Sequence, residues 1–167
     1  MIHVFTAFDS PVGRLKLVAG AQGLVAVLWP DDRPGRVPLG TLREDGAHPV
    51  LVQTARELDA YFAGRRTAFS VPLDFRGTVF QKRVWSALLT IPFGERRTYG
   101  QIAEQLGHPT ASRAVGAANG RNPISIIAPC HRVVGAGGQL TGFAGGLDAK
   151  AYLLELEAGQ LGVSLVG

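Results

Sequence analysis

The sequence predicts an α/β fold in two parts: a small N-terminal antiparallel sheet with one helix, followed by a mainly helical part that contains a helix-turn-helix. Two patterns predict this. Short β-rich runs separated by turn residues fill the first thirty positions, and apolar residues recur at helical spacing after position 78. The chain has 167 residues, 46% of them hydrophobic and 18% charged, which is typical of a globular protein. We expect two small domains, 1–76 and 77–167.

The N-terminal domain is predicted to be an antiparallel meander that carries a helix. Strands are expected at 4–8, 14–19 and 24–29. Residues 30–49 are rich in Asp, Pro, Gly and Arg and are expected to form a long loop. Apolar residues at helical spacing predict a helix over 50–63, and a further strand is expected at 70–75. No segment here has the spacing of a chemical site, so we interpret 1–76 as a scaffold.

The second part is predicted to be helical at both ends. Thr78 is placed to cap a helix that Pro92 would end, and a last helix is expected from about 148 to 157. Between them, two short helices joined by a glycine-containing turn match the helix-turn-helix pattern. The pattern comprises 100–106, the turn 107–109 and a helix from a Thr110 cap to about 118.

Positive charge is concentrated in one segment of the chain. The formal net charge is only +4, but residues 80–132 hold seven Lys or Arg against two Glu. Such clustering is expected of a phosphate-binding surface, and an Arg-rich solvated face is the alternative. On the second helix of the pattern, Arg113 is surrounded by small residues. Small side chains favour contacts with the DNA backbone and its shape over hydrogen bonds that read the base edges.

Several classes of protein are excluded or disfavoured by composition. The single cysteine excludes an intramolecular disulfide and any multi-cysteine zinc or iron–sulfur site. The four histidines are too scattered for a metal cluster, so we expect no metal and no cofactor. The N-terminus lacks the pattern of a signal peptide, and no apolar run is long enough to span a membrane. We expect a cytoplasmic protein.

Cys130 is the candidate for chemistry. It follows the apolar run 124–128, interpreted as a buried strand or an extended core segment, and precedes His131 and Arg132. A lone cysteine is either a small buried hydrophobe or a nucleophile with a lowered thiol pKa and a base in reach. Arg132 would favour the thiolate. In an extended segment neighbouring side chains point to opposite faces, so His131 would need a water or a bend to reach Cys130, with Glu157 orienting its ring.

The segment around Cys130 resembles the active-site segment of the O6-alkylguanine-DNA alkyltransferases, the methylated-DNA–protein-cysteine methyltransferases. The resemblance rests on Asn-Pro at 122–123, Pro-Cys-His-Arg-Val at 129–133 and the glycine-rich sequence that follows. Further matching blocks lie at 98–100, 113–116, 140–147 and 153–157. The resemblance is dense over about 77–160 and general over 1–75. It implies that the first part is the family's ribonuclease H-like α/β domain, which lacks catalysis.

The resemblance implies a role for each matching residue. Cys130 would accept the alkyl group, with His131 deprotonating the thiol through a water and Glu157 fixing the imidazole. Asn122 would be a hinge beside the DNA-binding helix. Tyr99 would donate a hydrogen bond to the departing guanine. Because nothing in the chain would remove the alkyl group, each molecule would act once.

The resemblance also implies a DNA surface and a base pocket. Arg113 would fill the space left when O6-alkylguanine, or O4-alkylthymine, is flipped out of duplex DNA bound through its minor groove with little sequence preference. The expected DNA-binding residues are Thr110, Ala111, Ser112, Arg113, Ala114, Gly116 and Ala117. The expected pocket residues are Asn119, Val133, Leu140, Thr141, Phe143, Ala144 and Gly145. Relatives often carry Tyr and Ser where this chain has Phe143 and Ala144, which implies a more apolar pocket. The family's occasional zinc site is not expected, because no cysteine precedes Cys130. We expect a monomer, with cooperativity on DNA left open.

Two other functions stay open at this stage. One is a non-catalytic lesion-binding module, as in the alkyltransferase-like proteins, which replace the acceptor cysteine. The other is a Cys–His hydrolase, which would regenerate its thiol. The presence of Cys130 together with His131, Asn122 and Glu157 favours the transferase.

Overall fold

A computed structural model describes residues 2–160, which form two compact units. The first unit runs through Arg76 and also includes Pro123–Ser125. The second comprises Gly77–Asn122 and the chain from Ile126 onward. The mixed fold class, with an N-terminal sheet followed by a mainly helical part, is confirmed. No helix within 2–160 is long and apolar enough to cross a membrane.

The first unit is built on a four-stranded sheet in the order β3-β2-β1-β4. Its strands are β1 (His3–Ser10), β2 (Gly13–Gly20), β3 (Gly23–Leu28) and β4 (Leu42–Glu44). The first three pair antiparallel as predicted, but β4 pairs parallel to β1. The expectation that 30–49 is wholly loop is therefore wrong. A three-residue strand is too short to show the alternation by which strands are recognised.

Helix α1 (Pro49–Phe62) packs with the first unit and holds the segment after it. The His48 side chain accepts the Val50 N–H at its start. The buried carboxylate of Glu57 accepts from the Ser70 backbone N–H at 2.9 Å and from its hydroxyl at 2.7 Å. The strand predicted at 70–75 reduces to an isolated bridge at Leu73, because these groups bond to a side chain instead of a neighbouring strand.

Three residues from late in the chain complete the first unit. The Val27 N–H donates to the Pro123 carbonyl at 2.9 Å, and Ile124 forms a parallel bridge with Val27. The Trp29 indole N–H donates to the Ser125 hydroxyl at 3.0 Å. Nothing in the sequence signals these contacts, because they join residues roughly a hundred positions apart.

The second unit, as far as residue 160, contains four α-helices and a short parallel pair of strands. They are α2 (Val79–Leu88), β5 (Arg97–Thr98), α3 (Tyr99–Gln105), α4 (Ser112–Gly120), β6 (Val133–Val134) and α5 (Leu147–Gln160). Capping boxes pair Thr78 with Gln81 and Thr98 with Gln101 at the starts of α2 and α3. Helix α2 ends before Pro92, as predicted, although its last residue is Leu88.

Two local predictions in the second unit are wrong. Thr110 does not cap α4: Ala111 holds the N-cap position without a side-chain hydrogen bond, because the Ala111 N–H closes a turn on His108 that leaves Thr110 outside the helix. The run 124–128 is not a strand. Ile126 has a left-handed backbone with φ of 74°, so the chain turns there instead of extending.

Candidate active site

Cys130 begins a single 3-10 turn, Cys130–Arg132, that is buried throughout. The residue is 4% exposed, and its N–H donates to the Ala128 carbonyl at 2.7 Å. The Val133 N–H closes the turn on the Cys130 carbonyl. Neighbouring side chains on a 3-10 axis lie about 120° apart. The chain therefore bends at Cys130 and His131 instead of running extended, and a bend is one of the two alternatives that the sequence left open.

His131 is fully buried and is held by one ring nitrogen. Its Nε2 lies 2.7 Å from Glu157 Oε2 on α5. Because an ionised carboxylate can only accept, Nε2 carries the hydrogen and donates it. The other nitrogen, Nδ1, is buried and has no hydrogen-bond partner among the described residues. The arrangement leaves Nδ1 with a lone pair, which is the state that a general base requires.

Glu157 is shared between His131 and Arg132. The Arg132 Nε donates to Oε1 at 2.8 Å and Nη2 donates to Oε2 at 3.0 Å. Burial alone would raise the pKa of Glu157, but the hydrogen bonds and positive charge of its two partners outweigh burial and lower that pKa to about 2. Glu157 is therefore ionised at neutral pH. Burial lowers the pKa of His131, and the hydrogen bond with Glu157 opposes that effect only in part, so the imidazole is neutral.

The hydrogen bonds of Arg132 go to Glu157 and to the chain after α2, and its expected effect on the Cys130 thiolate stays a prediction. Besides its two bonds to Glu157, it donates from Nη1 to the Ile91 carbonyl at 2.6 Å. Its guanidinium also lies over the Phe93 ring, with Cζ 5.7 Å from the centroid. All three guanidinium nitrogens are thus directed at Glu157 and the chain after α2.

Asn122 and Tyr99 each make a side-chain hydrogen bond to another segment of the second unit. Asn122 is fully buried, and its Nδ2 donates to the Ala128 carbonyl at 2.8 Å, two residues before the cysteine. The Tyr99 hydroxyl, at the first residue of α3, lies 2.5 Å from the Thr141 hydroxyl. This bond joins two of the predicted site residues, one from the helix-turn-helix and one from the predicted pocket loop.

Lys150 on α5 is a site residue that the sequence reasoning missed. It is fully buried, and its Nζ donates to the Val133 carbonyl at 2.7 Å and the Thr141 carbonyl at 3.4 Å. Nζ also lies 5.9 Å from the Phe143 ring centroid. Burial lowers the pKa of Lys150, and negative charge at Cys130 opposes that shift. The sequence did contain a sign that Lys150 lies near the site: it is seven residues before Glu157, and residues seven apart share one helix face.

Helix α4 presents the predicted DNA-binding residues in an uneven way. Arg113, Ala114 and Ala117 are exposed. Gly116 is partly buried beside the Tyr99 ring, and a Cβ added there would lie 3.7 Å from that ring, an ordinary van der Waals distance. Thr110 is exposed before the helix, while Ala111 and Ser112 are partly buried at its start.

The predicted pocket residues are brought together only in part. Val133 and Thr141 meet through Lys150, as described above, and Phe143 lies beside the same ammonium group. Asn119 is buried on α4, and its Oδ1 has no hydrogen-bond partner within 2–160. Leu140, Ala144 and Gly145 are partly buried on the loop before α5, and their place in a pocket stays a prediction. In the described part of the chain, no group of three His, Cys, Asp or Glu could hold a metal ion.

Comparison with known proteins places both halves of the chain in one family. Residues 3–75 match the ribonuclease-like domain of 6-O-methylguanine DNA methyltransferase, and residues 79–159 match its DNA-binding domain. The chain belongs to the 6-O-methylguanine DNA methyltransferase family. It is 54% identical over 167 residues to the methylated-DNA–protein-cysteine methyltransferase of Mycobacterium leprae, covering 99% of this chain and 98% of the relative.

Solved structures of this family share the fold described above. The O6-methylguanine methyltransferase of Mycobacterium tuberculosis is 49% identical with a TM-score of 0.84, over 98% of this chain and 97% of that one. The same organism's protein in complex with DNA is 48% identical with a TM-score of 0.86, over 94% of each chain. The 6-O-methylguanine DNA methyltransferase family is therefore shown by sequence and by fold.

Proposed function

We propose that this protein repairs DNA by transferring the alkyl group of O6-alkylguanine irreversibly to Cys130. One observation carries the proposal: the only cysteine is buried directly before a histidine whose Nε2 is held at 2.7 Å by an ionised glutamate. Relatives that are about half identical over nearly the whole chain are named methylated-DNA–protein-cysteine methyltransferases. O4-alkylthymine is proposed as a second substrate.

The proposed reaction is a direct displacement at carbon. His131 Nδ1 takes the thiol proton of Cys130 through a water, and the thiolate attacks the alkyl carbon. An S–C bond forms while the bond between that carbon and O6 breaks. The electron pair goes to the guanine, where a hydrogen bond from Tyr99 and return of the proton leave a neutral base. The thioether is stable, so the protein acts once.

Three buried residues, Glu157, Asn122 and Lys150, are proposed to position the reacting groups. Glu157, ionised because of its two cationic or hydrogen-bonding partners, fixes the tautomer and orientation of His131. Asn122, bonded to the Ala128 carbonyl, acts as the hinge that holds the segment before Cys130. Lys150 ties the Val133 and Thr141 carbonyls together and thereby fixes one wall of the proposed base pocket.

The proposed DNA surface is the exposed face of α4. Its small residues Ala114 and Ala117 allow the backbone to approach the minor groove closely. Arg113, also exposed, takes the place of the extruded nucleotide, since the alkyl carbon is out of reach inside a duplex. The Mycobacterium tuberculosis relative that was solved with DNA supports DNA as the partner. We propose a monomer in the cytoplasm, with 1–76 as the scaffold domain and 77–167 as the domain that binds DNA and accepts the alkyl group.

The decisive test is the intact mass of the protein after incubation with duplex DNA that carries O6-methylguanine. We expect a one-to-one gain of one methyl group on the peptide that contains Cys130, and no gain in Cys130→Ser. Tight binding without modification would replace the proposal with a lesion-binding module. Repeated turnover with an unmodified thiol would replace it with a hydrolase.

A second test separates base extrusion from chemistry. Arg113→Ala is expected to slow transfer from duplex DNA while leaving the reaction of Cys130 with the free base O6-methylguanine nearly unchanged. Arg43→Ala, an exposed arginine on β4, is the matched control and should change neither rate. Equal losses in both reactions of Arg113→Ala would contradict its proposed role.

A further inference from the structure

Arg132 is a buried cation for which the proposed transfer has no step. It is 6% exposed and directs its guanidinium at both oxygens of Glu157 and at the Ile91 carbonyl. A buried charge is retained at a cost unless its partners compensate it. Here the compensation comes from the same carboxylate that holds the His131 ring.

The sharing of one carboxylate has a consequence for His131. A carboxylate that also accepts two bonds from a guanidinium stabilises a neighbouring imidazolium less than one that serves the imidazole alone. The guanidinium is in addition a positive charge close to the ring, and it lowers the pKa of His131 together with Lys150. Both effects favour the neutral imidazole.

The other charged groups around His131 act on it in different ways, and Lys150 contributes a positive charge only. Helix α5 contributes Glu157 and Lys150, and the 3-10 turn itself contributes Cys130 and Arg132. Helix α2 packs on the same turn, but its charged residues Lys82 and Arg83 are exposed. Arg132, which acts on His131 as a positive charge, also forms an ion pair with Glu157, with Nε 2.8 Å from Oε1.

We propose that Arg132 is a positioning residue that keeps Glu157 ionised and oriented while limiting the basicity that Glu157 confers on His131. This sets the pH range in which Nδ1 can accept the thiol proton, a consequence that rests on the proposed function. Arginine suits this position because its planar fork can contact two carboxylate oxygens and a carbonyl at once. A lysine ammonium is a point charge that cannot reproduce that geometry.

The test compares Arg132→Gln, Arg132→Lys and the control Arg97→Gln, whose arginine pairs with Glu95 at the surface. The protonation midpoint of His131 is measured by NMR on the full chain without DNA, with its ring signals assigned by their loss in His131→Gln. The wild-type midpoint is expected below 6.5. We expect it to rise in Arg132→Gln, to rise less in Arg132→Lys and to stay unchanged in Arg97→Gln. Near-UV circular dichroism checks folding, and if Arg132→Gln does not fold, Arg132→Lys decides.

The single-turnover rate of each of these variants on duplex DNA that carries O6-methylguanine is then measured across pH. The acid limb of the rate should move up with the His131 midpoint, and each whole pH unit of movement lowers the rate on that limb about tenfold. An unmoved or lowered midpoint in both Arg132 variants overturns the proposal. A raised midpoint with an unmoved acid limb overturns its consequence for the reaction. If the midpoint is raised in the Arg132 variants but the wild-type protein transfers no methyl group, the proposed function is overturned, while the effect of Arg132 on His131 stands.

Discussion

Glu157→Gln should destabilise the protein by an amount that the structure allows us to work out. The pKa of the buried carboxyl lies at about 2 instead of 4.5, a difference of roughly 2.5 pH units. At 1.36 kcal/mol per unit, the ionised Glu157 contributes about 3 kcal/mol to the free energy of unfolding at pH 7. The cost of breaking a buried ion pair by removing one partner is of the same order. We expect Glu157→Gln to lose about 3 kcal/mol.

The pH dependence of this loss has a definite sign. A carboxyl whose pKa is depressed on folding stabilises the protein fully above its unfolded value of 4.5, and the contribution disappears as the pH falls toward 2. The difference between wild type and Glu157→Gln should therefore be largest near pH 7 and shrink below pH 4.5.

Urea unfolding followed by far-UV circular dichroism at several pH values measures this difference directly. The matched control is Glu155→Gln, an exposed position on the same helix, which should stay within about 0.5 kcal/mol of wild type. If Glu157→Gln is as stable as Glu155→Gln at pH 7, or if its deficit does not shrink on acidification, the assignment of an ionised, doubly bonded Glu157 is wrong.

Three further predictions concern other buried polar groups. Asn122→Ala removes the hydrogen bond to the Ala128 carbonyl and should lower the free energy of unfolding, measured in urea, by about 2 kcal/mol. The same variant should transfer the alkyl group more slowly in a single turnover, while its DNA affinity in a binding titration stays unchanged. Trp85→Phe loses the indole bond to the Ala118 carbonyl at 2.8 Å and should cost a similar amount by the same unfolding measurement; a loss below 0.5 kcal/mol would contradict it. Burial, and then the charge of Arg76, lower the pKa of His3 below 6.5. Neutral His3 therefore stabilises the fold above pH 6.5, and this contribution is lost as the pH falls. The thermal unfolding of His3→Phe between pH 7.5 and 5.5 should depend less on pH than that of wild type, and an equal dependence would refute the role of His3.

Local signals were sufficient for most of the elements. Thr78 was expected to begin a helix because a threonine before an apolar stripe satisfies free backbone N–H groups, and the structure has a complete capping box there. The three N-terminal strands were likewise visible, since each carries enough β-rich residues between turn residues. Thr110 failed as a cap because the turn closed by Ala111 competes for the same stretch of chain.

Long-range contacts could not be read from local patterns. Strand β4 exists because β1 offers a free edge to a three-residue segment, and the path of the chain at Ile126 depends on a left-handed residue that the apolar composition hides. In the site, residue type makes Cys130 and His131 candidates for chemistry, and the resemblance of the segment implies their roles. The sharing of Glu157 and the burial of Lys150 could not be read from the sequence, because they depend on how α5 packs against the 3-10 turn.

The three residues Pro123–Ser125, which belong to the first unit, affect the order in which the chain can fold during synthesis. Strand β3 emerges early, but its partner at Ile124 and the hydroxyl that Trp29 binds 96 positions later are made only after the helix-turn-helix. Closing so long a connection is entropically costly and slows folding. Strand β3 therefore lacks these partners until the chain has been synthesised as far as Ser125, five residues before Cys130. A chain that ends before Pro123 therefore lacks both the bridge partner of Val27 and the hydroxyl that Trp29 binds.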